Sequence, residues 1–235
     1  MNILTLDRIG FSYTAEPLLE GVSLHLAKGE TVGILGCNGA GKTTLFDLIC
    51  ALRAPHSGHI VNASHRQVYL TQVLTPPPAL RMADAGALVT LLNAACAPSH
   101  ADILSRLCTW SPALGQRYAE ISRKRASTCS YGEIRSYFTL TLLLMDSDLI
   151  ILDEPTAGVD PEFRHYIWLG ISSACKDGAS VLVSSHYTQE VVDCCDRFYM
   201  LARGQLDAFA SGEQFLAAHQ AATLDEAFIN ASLQG

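Results

Sequence analysis

Residues 31–44 read Thr-Val-Gly-Ile-Leu-Gly-Cys-Asn-Gly-Ala-Gly-Lys-Thr-Thr. The first five are apolar enough to predict a short buried strand, and residues 42–52 predict a helix. The stretch between them fits the pattern G-x-x-x-x-G-K-[ST], in which glycines let successive backbone N–H groups turn toward a triphosphate. The N-terminus of the following helix adds about half a positive charge. This order of strand, glycine-rich loop and helix predicts a phosphate-binding loop in an α/β fold.

Two side chains of this loop have predicted roles of their own. The amino group of Lys42 would bridge the β- and γ-phosphates of a nucleotide, and the hydroxyl of Thr43 would bind Mg²⁺. ATP and Mg²⁺ are therefore the expected ligands. The loop residues predicted to bind the nucleotide are Gly36, Asn38, Gly39, Ala40, Gly41, Lys42, Thr43 and Thr44.

A second motif lies further along the chain, where residues 150–155 read Ile-Ile-Leu-Asp-Glu-Pro. An apolar run followed by two acids places carboxylates at the C-terminal end of a central strand, where open α/β sheets bind their ligands. We expect Asp153 to hold Mg²⁺ through its hydration shell. Glu154 is expected to polarise the attacking water as a general base.

Strands and helices alternate on both sides of these motifs, which predicts a mainly parallel sheet covered by helices on both faces. The Ser57-Gly58 pair is interpreted as a turn before a further strand. Residues 197–210 have the pattern of an edge hairpin. The other predicted strands lie at residues 3–13, 22–26, 31–35, 67–71, 148–152 and 180–184.

Residues 73–145 differ in character, because they are rich in Ala and Leu at helical spacing and open with three prolines at 76–78. They predict a helical subdomain inserted into the sheet. A chain of 235 residues suits a single domain. We expect an ATP-binding core at residues 1–72 and 146–210, the inserted subdomain at 73–145 and a helical tail at 211–235.

The segment between the two motifs identifies a family that the motifs alone do not. Residues 129–133, Cys-Ser-Tyr-Gly-Glu, stand where the ABC ATPase family carries its signature L-S-G-G-Q. Ser130 and Gly132 match it, whereas Tyr131 replaces the first Gly and Glu133 replaces Gln. The chain thus resembles this family, which implies a RecA-like P-loop NTPase core with an N-terminal antiparallel β part. It also implies that Ser130, Gly132 and Glu133 bind the nucleotide held by an opposite subunit.

Four further positions are similar to family motifs. Gln72 resembles the Q-loop glutamine, which contacts Mg²⁺ and the attacking water, and His186 resembles the switch histidine at the γ-phosphate. Asp160 lies in a stretch similar to the D-loop, which crosses the dimer interface. Tyr13 is similar to the aromatic residue that stacks on adenine, and such stacking is worth about 1–3 kcal/mol per base. The alternative for Tyr13 is an ordinary strand aromatic.

The resemblance also implies partners, since each ATP site of the family needs two such domains and this chain carries one set of motifs. We expect a head-to-tail dimer with a second copy or a paralogue. No apolar stretch reaches the ~20 residues that cross a bilayer, so an integral membrane subunit is expected to be a separate chain. The expected location is peripheral, on the cytoplasmic face of the inner membrane. The net charge of −7 argues against a nucleic-acid partner.

Two features favour export. The helical subdomain is short, and residues 223–229 are similar to the L-E-E-x-F ending of ATPases from ABC-2 exporters, although an ordinary amphipathic helix is the other interpretation. The apolar surface at residues 73–92 is predicted to receive a helix of the membrane subunit. Residues 85–97 could equally form a buried helix. The alternative function is a soluble ABC-type ATPase outside transport, and a catalytically inactive regulatory subunit is disfavoured because the motif residues are present.

Overall fold

The computed structural model describes residues 1–93 and 98–233 of the chain. Its strands are β1 (Asn2–Phe11), β2 (Leu19–Ala27), β3 (Thr31–Leu35), β4 (Ser57–Asn62), β5 (Gln67–Leu70), β6 (Leu149–Asp153), β7 (Ser180–Ser185), β8 (Arg197–Ala202) and β9 (Gln205–Phe209). Its helices are α1 (Lys42–Ile49), α2 (Met82–Asn93), α3 (His100–Trp110), α4 (Pro112–Arg123), α5 (Tyr131–Leu143), α6 (Pro161–Lys176), α7 (Thr188–Cys194), α8 (Gly212–Ala218) and α9 (Leu224–Leu233).

The main sheet has the strand order β5-β6-β7-β3-β8-β9. Neighbours from β5 to β8 run parallel, and β9 pairs antiparallel with β8 as the predicted edge hairpin. Every residue of β3, β6 and β7 is buried, because apolar side chains on both faces pack against covering helices. The predicted parallel α/β core is thereby confirmed.

A smaller antiparallel sheet, in the order β2-β1-β4, forms the predicted N-terminal β part. Its apolar face packs with α1 and one face of the main sheet in a common core. The interpretation of Ser57-Gly58 as a turn before a strand is wrong, because β4 begins at Ser57 itself. Gly58 has a φ of 80°, and a Cβ there would collide with the backbone of Arg8 on the neighbouring strand.

Helices α2 to α5 follow β5 and share a second core with α6 and one face of the main sheet. Helix α5 is buried on nearly all sides, and it connects these helices to the strands that carry the site. Residues 94–97, which belong to the predicted helical subdomain and to the stretch 85–97, lie outside the described residues.

The tail contributes α8 and α9, which pack against β3 and β8. Ala227 and Ala231 are the buried face of α9. At the end of this helix, Ser232 Oγ shares a hydrogen bond with Cys37 Sγ at 3.1 Å, so the helix contacts the phosphate loop. Within residues 1–93 and 98–233, no helix combines the length and apolarity that crossing a membrane needs.

Candidate nucleotide-binding and hydrolysis site

The phosphate loop leaves the buried strand β3 and enters α1, as predicted. Gly39 and Gly41 have φ values of 84° and 106°, a region that residues with a side chain rarely adopt. Gly41 is also the N-cap of α1, so the backbone N–H groups of the first helical turn face the loop. The loop thus has the left-handed glycines and the helix N-terminus that an anion site requires.

Lys42 is buried at this loop. Its Nζ donates hydrogen bonds to the carbonyl oxygens of Gly36 at 2.6 Å and Cys37 at 3.2 Å. The same nitrogen lies 3.1 Å from Glu154 Oε1. The ammonium group therefore connects the phosphate loop directly to Glu154, the acid that follows β6.

Thr43 and Asp153 meet across the end of the sheet. Thr43 Oγ1 donates to Asp153 Oδ2 at 2.6 Å, and Ser184 Oγ donates to Asp153 Oδ1 at 2.6 Å. Hydroxyl and carboxylate oxygens are the ligand type that Mg²⁺ prefers. The residues predicted for the metal therefore fit it chemically, with Thr43 and Asp153 within one hydrogen bond of each other.

Glu154 is buried, and both of its carboxylate oxygens have cationic or polar partners. Lys42 faces Oε1, and His186 Nδ1 donates to Oε2 at 2.7 Å. Its backbone has a φ of 51°, the left-handed region that is uncommon for a residue with a side chain. The backbone N–H of Glu154 donates to Ser184 Oγ at 2.9 Å. The structure thus brings together three residues with separate predicted roles: Lys42, Glu154 and His186.

Gln72 follows β5, the neighbour of β6, and is exposed. Its carbonyl oxygen accepts hydrogen bonds from Arg135 at 2.8 Å and from Tyr131 Oη at 3.4 Å. The signature segment and the Q-loop glutamine are therefore in contact within one chain.

Tyr13 lies beyond the end of β1 rather than within a strand, and its side chain is 57% exposed. Tyr13 Oη shares a hydrogen bond with Thr44 Oγ1 at 3.2 Å, which holds the ring beside the phosphate loop. The guanidinium of Arg53 lies 5.0 Å from the ring centroid and covers one face. Stacking of adenine on Tyr13 stays a prediction. The structure shows that the Tyr13 ring is exposed and lies beside the phosphate loop.

Ser130 is the N-cap of α5, where it forms a capping box with Glu133. Ser130 Oγ accepts from Glu133 N at 3.1 Å, and Glu133 Oε2 accepts from Ser130 N at 3.0 Å. Lys124 Nζ donates to Glu133 Oε1 at 2.6 Å. Burial acts to raise the pKa of Glu133, but the bonds from Lys124 and from the Ser130 N–H lower this pKa overall. Glu133 is thus bound within its own subunit.

Glu133→Gln, which restores the family residue, is expected to leave the ATPase rate within about threefold of wild type. The amide oxygen can still accept from Ser130 N, so the capping box persists. The ion pair with the partly exposed Lys124 is lost, which costs below about 1 kcal/mol. Steady-state hydrolysis and thermal unfolding measure both effects. A rate more than tenfold lower would show that the negative charge itself is used in hydrolysis.

Asp160 and Gly132 were also predicted to belong to the site. Asp160 begins a helix, and Gly132 lies against the D-loop. Asp160 is the N-cap of α6, and its Oδ1 accepts from Phe163 N at 3.0 Å. Gly132 packs against the D-loop backbone, where a Cβ would come into van der Waals contact with the Gly158 carbonyl oxygen. The structure thus places the signature segment against the D-loop of its own chain.

Sequence reasoning missed two residues that contact the site. Ser184 bonds both Asp153 and Glu154, and its signal was a hydroxyl at the C-terminal end of a buried strand. Arg135 donates to the backbone of Asp153 and Glu154, and its signal was a lone basic residue in a helix that is otherwise uncharged after its first turn.

The chain has a glycine-rich loop between a buried strand and a helix, and an acid pair at the end of a parallel strand of the same sheet, one strand removed. This combination defines a P-loop nucleotide hydrolase. The family model described as ABC transporter matches residues 19–157, which is more than half of the chain. The chain therefore belongs to the ABC transporter family, as an ATP-binding subunit with ATPase activity.

Individual relatives agree with this assignment. Protein McbF of Escherichia coli is 30% identical over 228 residues, which cover 94% of this chain and 91% of that protein. Nod factor export ATP-binding protein I of Paraburkholderia xenovorans (strain LB400) is 28% identical over 217 residues, covering 85% of this chain and 67% of the relative. A solved ATP-binding subunit of an ABC transporter superposes with a TM-score of 0.80 at 24% identity, covering 97% and 99% of the two chains.

Proposed function

We propose that this chain energises an exporter whose membrane-spanning part is a separate polypeptide. It would work at the cytoplasmic face of the inner membrane, in a head-to-tail dimer with a second copy or a paralogue. The observation that carries the energising role, which is ATP hydrolysis, is the buried carboxylate of Glu154 between Lys42 and His186 at the phosphate loop.

Hydrolysis of ATP follows from this arrangement. The triphosphate would draw Lys42 Nζ from Glu154 Oε1 toward the β- and γ-phosphates, which leaves that oxygen free to accept a proton from the attacking water. His186 keeps its bond to Oε2 and so fixes the direction of the carboxylate. Thr43 and Asp153 would hold Mg²⁺, which supplies positive charge to the phosphates when bound. Gln72 would contact the ion and the water, as in the family.

The dimer is supported by the placement of the signature segment. Ser130 and Tyr131 begin α5, and the side chain of Tyr131 is exposed, so this helix N-terminus is open to a second subunit. A helix N-terminus with a serine hydroxyl suits a phosphate. In one of the similar solved structures a bacterial ABC transporter cassette is dimeric, with a TM-score of 0.71, 19% identity and coverage of 86% and 96%.

A separate membrane subunit is supported by an apolar surface on α2. Leu88, Leu91 and Leu92 are all exposed, Leu92 by 88%, and they lie within the predicted stretch 73–92. Positions three and four apart share one face of a helix, so these side chains form a patch. Met82 and Ala85 face the core instead. Such a patch suits the helix-in-groove contacts of a short partner helix.

Export is supported by the names of relatives rather than by geometry. Besides the Nod factor export protein, similar chains include the linearmycin resistance ATP-binding protein LnrL of Bacillus subtilis (strain 168), 26% identical over 89% of this chain and 69% of that protein. Helix α9 contains residues 224–229 of the stretch that is similar to the L-E-E-x-F ending of ABC-2 exporters. We therefore favour an ABC-2-like exporter.

Leu88→Glu combined with Leu92→Glu is expected to reduce the amount of co-purified membrane subunit at least tenfold, because two charges would be buried in an apolar contact. The measurement is purification from detergent-solubilised membranes, followed by identification of bound multi-span proteins. Transport should fall in parallel, while ATP binding stays within about twofold of wild type.

Val61→Glu is the matched control, since Val61 is also exposed and apolar but lies on the edge strand β4. It should retain the partner. A chain that purifies from cytosol without any membrane protein, and that is unaffected by the α2 substitutions, would favour the soluble ATPase outside transport.

A further inference from the structure

Arg135 is a charged residue in the interior of the protein. It is 0% exposed, and it is the largest of the fully buried side chains. Among the described residues, no carboxylate lies within ion-pair distance of its guanidinium group. A buried, unpaired charge is costly unless its donors are all satisfied, so Arg135 calls for an explanation beyond packing.

The guanidinium group instead binds backbone carbonyl oxygens of two separate segments. After β5, it donates to Gln72 O at 2.8 Å and to Thr71 O at 3.2 Å. After β6, its Nε donates to Glu154 O at 2.9 Å, and its second terminal nitrogen donates to Asp153 O. The rigid, planar fork of arginine suits this pattern, and a lysine has neither the reach nor the number of fixed donors.

These contacts bear on the strained backbone of Glu154. A left-handed conformation of a residue with a side chain persists only when its surroundings hold it in place. The backbone N–H of Glu154 is fixed by its hydrogen bond to Ser184 Oγ, and its carbonyl oxygen is fixed by the hydrogen bond from Arg135 Nε. The carboxylate direction depends on this backbone, because a change in φ would swing both oxygens away from Lys42 and His186.

We propose that Arg135 is a positioning residue for hydrolysis, which holds Glu154 in its active backbone conformation and couples it to Gln72. This rests on the proposed role of Glu154 as the general base. Arg135 lies five residues after Ser130 on the same helix, so movement of α5 is passed to both segments through a single side chain. Nucleotide contact at the signature segment of one subunit would thereby align the base and the glutamine within that same subunit.

The test is a double-mutant cycle of Arg135→Lys and Glu154→Gln, measured as kcat and KM for ATP. Arg135→Lys alone should lower kcat by about 10²-fold, the effect of a displacement of about 1 Å at a reacting group. Nucleotide affinity should stay within threefold. In the Glu154→Gln background, Arg135→Lys should lower the residual rate by less than threefold, because the group it positions is already gone.

Arg197→Lys is the matched control. Arg197 is also largely buried and donates to Glu30, Tyr199 and the His25 carbonyl, far along the chain from the acid pair. Its exchange should leave kcat within twofold. Arg135→Gln serves as a second variant, and it should show the same lack of additivity with Glu154→Gln.

Three results would overturn the proposal. The first is an equal loss of kcat from Arg135→Lys in the wild-type and Glu154→Gln backgrounds, and the second is a loss of nucleotide affinity with kcat unchanged. The third is failure of both Arg135 variants to fold, which would make the role purely structural. The proposed function fails by a different result, namely Glu154→Gln alone retaining the wild-type kcat within threefold.

Discussion

Glu154→Gln is expected to lower the ATPase kcat by about 10²–10⁴-fold, the usual contribution of a positioned general base. The amide has the shape of the carboxylate and can keep a hydrogen bond with His186, but it cannot accept the proton of the attacking water. ATP affinity should stay close to wild type, because the phosphate loop and the Thr43–Asp153 pair are untouched. Steady-state hydrolysis and equilibrium nucleotide binding measure the two quantities.

The same variant should accumulate as an ATP-bound pair of subunits, since closure no longer ends in cleavage. Light scattering of the purified protein with and without ATP detects this pair. Glu30→Gln is the matched control, because Glu30 is also a largely buried acid, paired with Arg197 rather than Lys42. An ATPase rate of Glu154→Gln within threefold of wild type would remove the base assignment.

Ser130→Arg is expected to abolish hydrolysis, with a rate at least 10²-fold lower, while the isolated monomer binds ATP within twofold of wild type. A large cation at the start of α5 would fill the space that the nucleotide of the opposite subunit must enter. The monomer's own phosphate loop does not use Ser130, whose N–H and hydroxyl both bond to Glu133. ATP titration at a concentration below that of dimer formation measures the monomer affinity.

Loss of the N-cap is a separate effect of changing Ser130, worth about 1 kcal/mol of stability. Ser130→Ala isolates it, because alanine removes the cap without adding bulk. We expect Ser130→Ala to unfold at a somewhat lower temperature but to hydrolyse faster than Ser130→Arg. A collapse of ATP affinity in the Ser130→Arg monomer would mean that Ser130 acts within its own subunit or that the fold has broken.

The departures from the family signature have physical counterparts in the structure. Glu133 in place of Gln still completes the capping box of α5, and Lys124 pairs with its charge. Tyr131 in place of Gly lies beside Gly158, where an added Cβ would come within 3.2 Å of the ring. The segment therefore keeps the start of its helix and gains contacts with the D-loop and Gln72.

Patterns of apolar and polar residues were sufficient to predict those parts of the fold that depend on residues close together in sequence. The strand 31–35 and the acid pair after β6 follow from apolar runs that end in loop residues, because burial on both faces of a parallel strand selects such runs. The turn predicted at Ser57-Gly58 was wrong because this position depends on a residue that is distant in sequence. The glycine there is required by the close approach of β1, a contact between segments that a local pattern does not contain.

The phosphate loop, the acid pair and the motifs that identify the family are predictable from the amino-acid sequence, because each is a short run of residues whose chemistry depends on spacing along the chain. The side chains that surround these motifs depend on contacts between distant segments. Arg135 lies 19 residues from Glu154 and 63 from Gln72 along the chain, yet it binds the carbonyl oxygens of both. Parallel strands bring distant chain segments to one edge of the sheet, and no spacing rule states which buried side chain will join them.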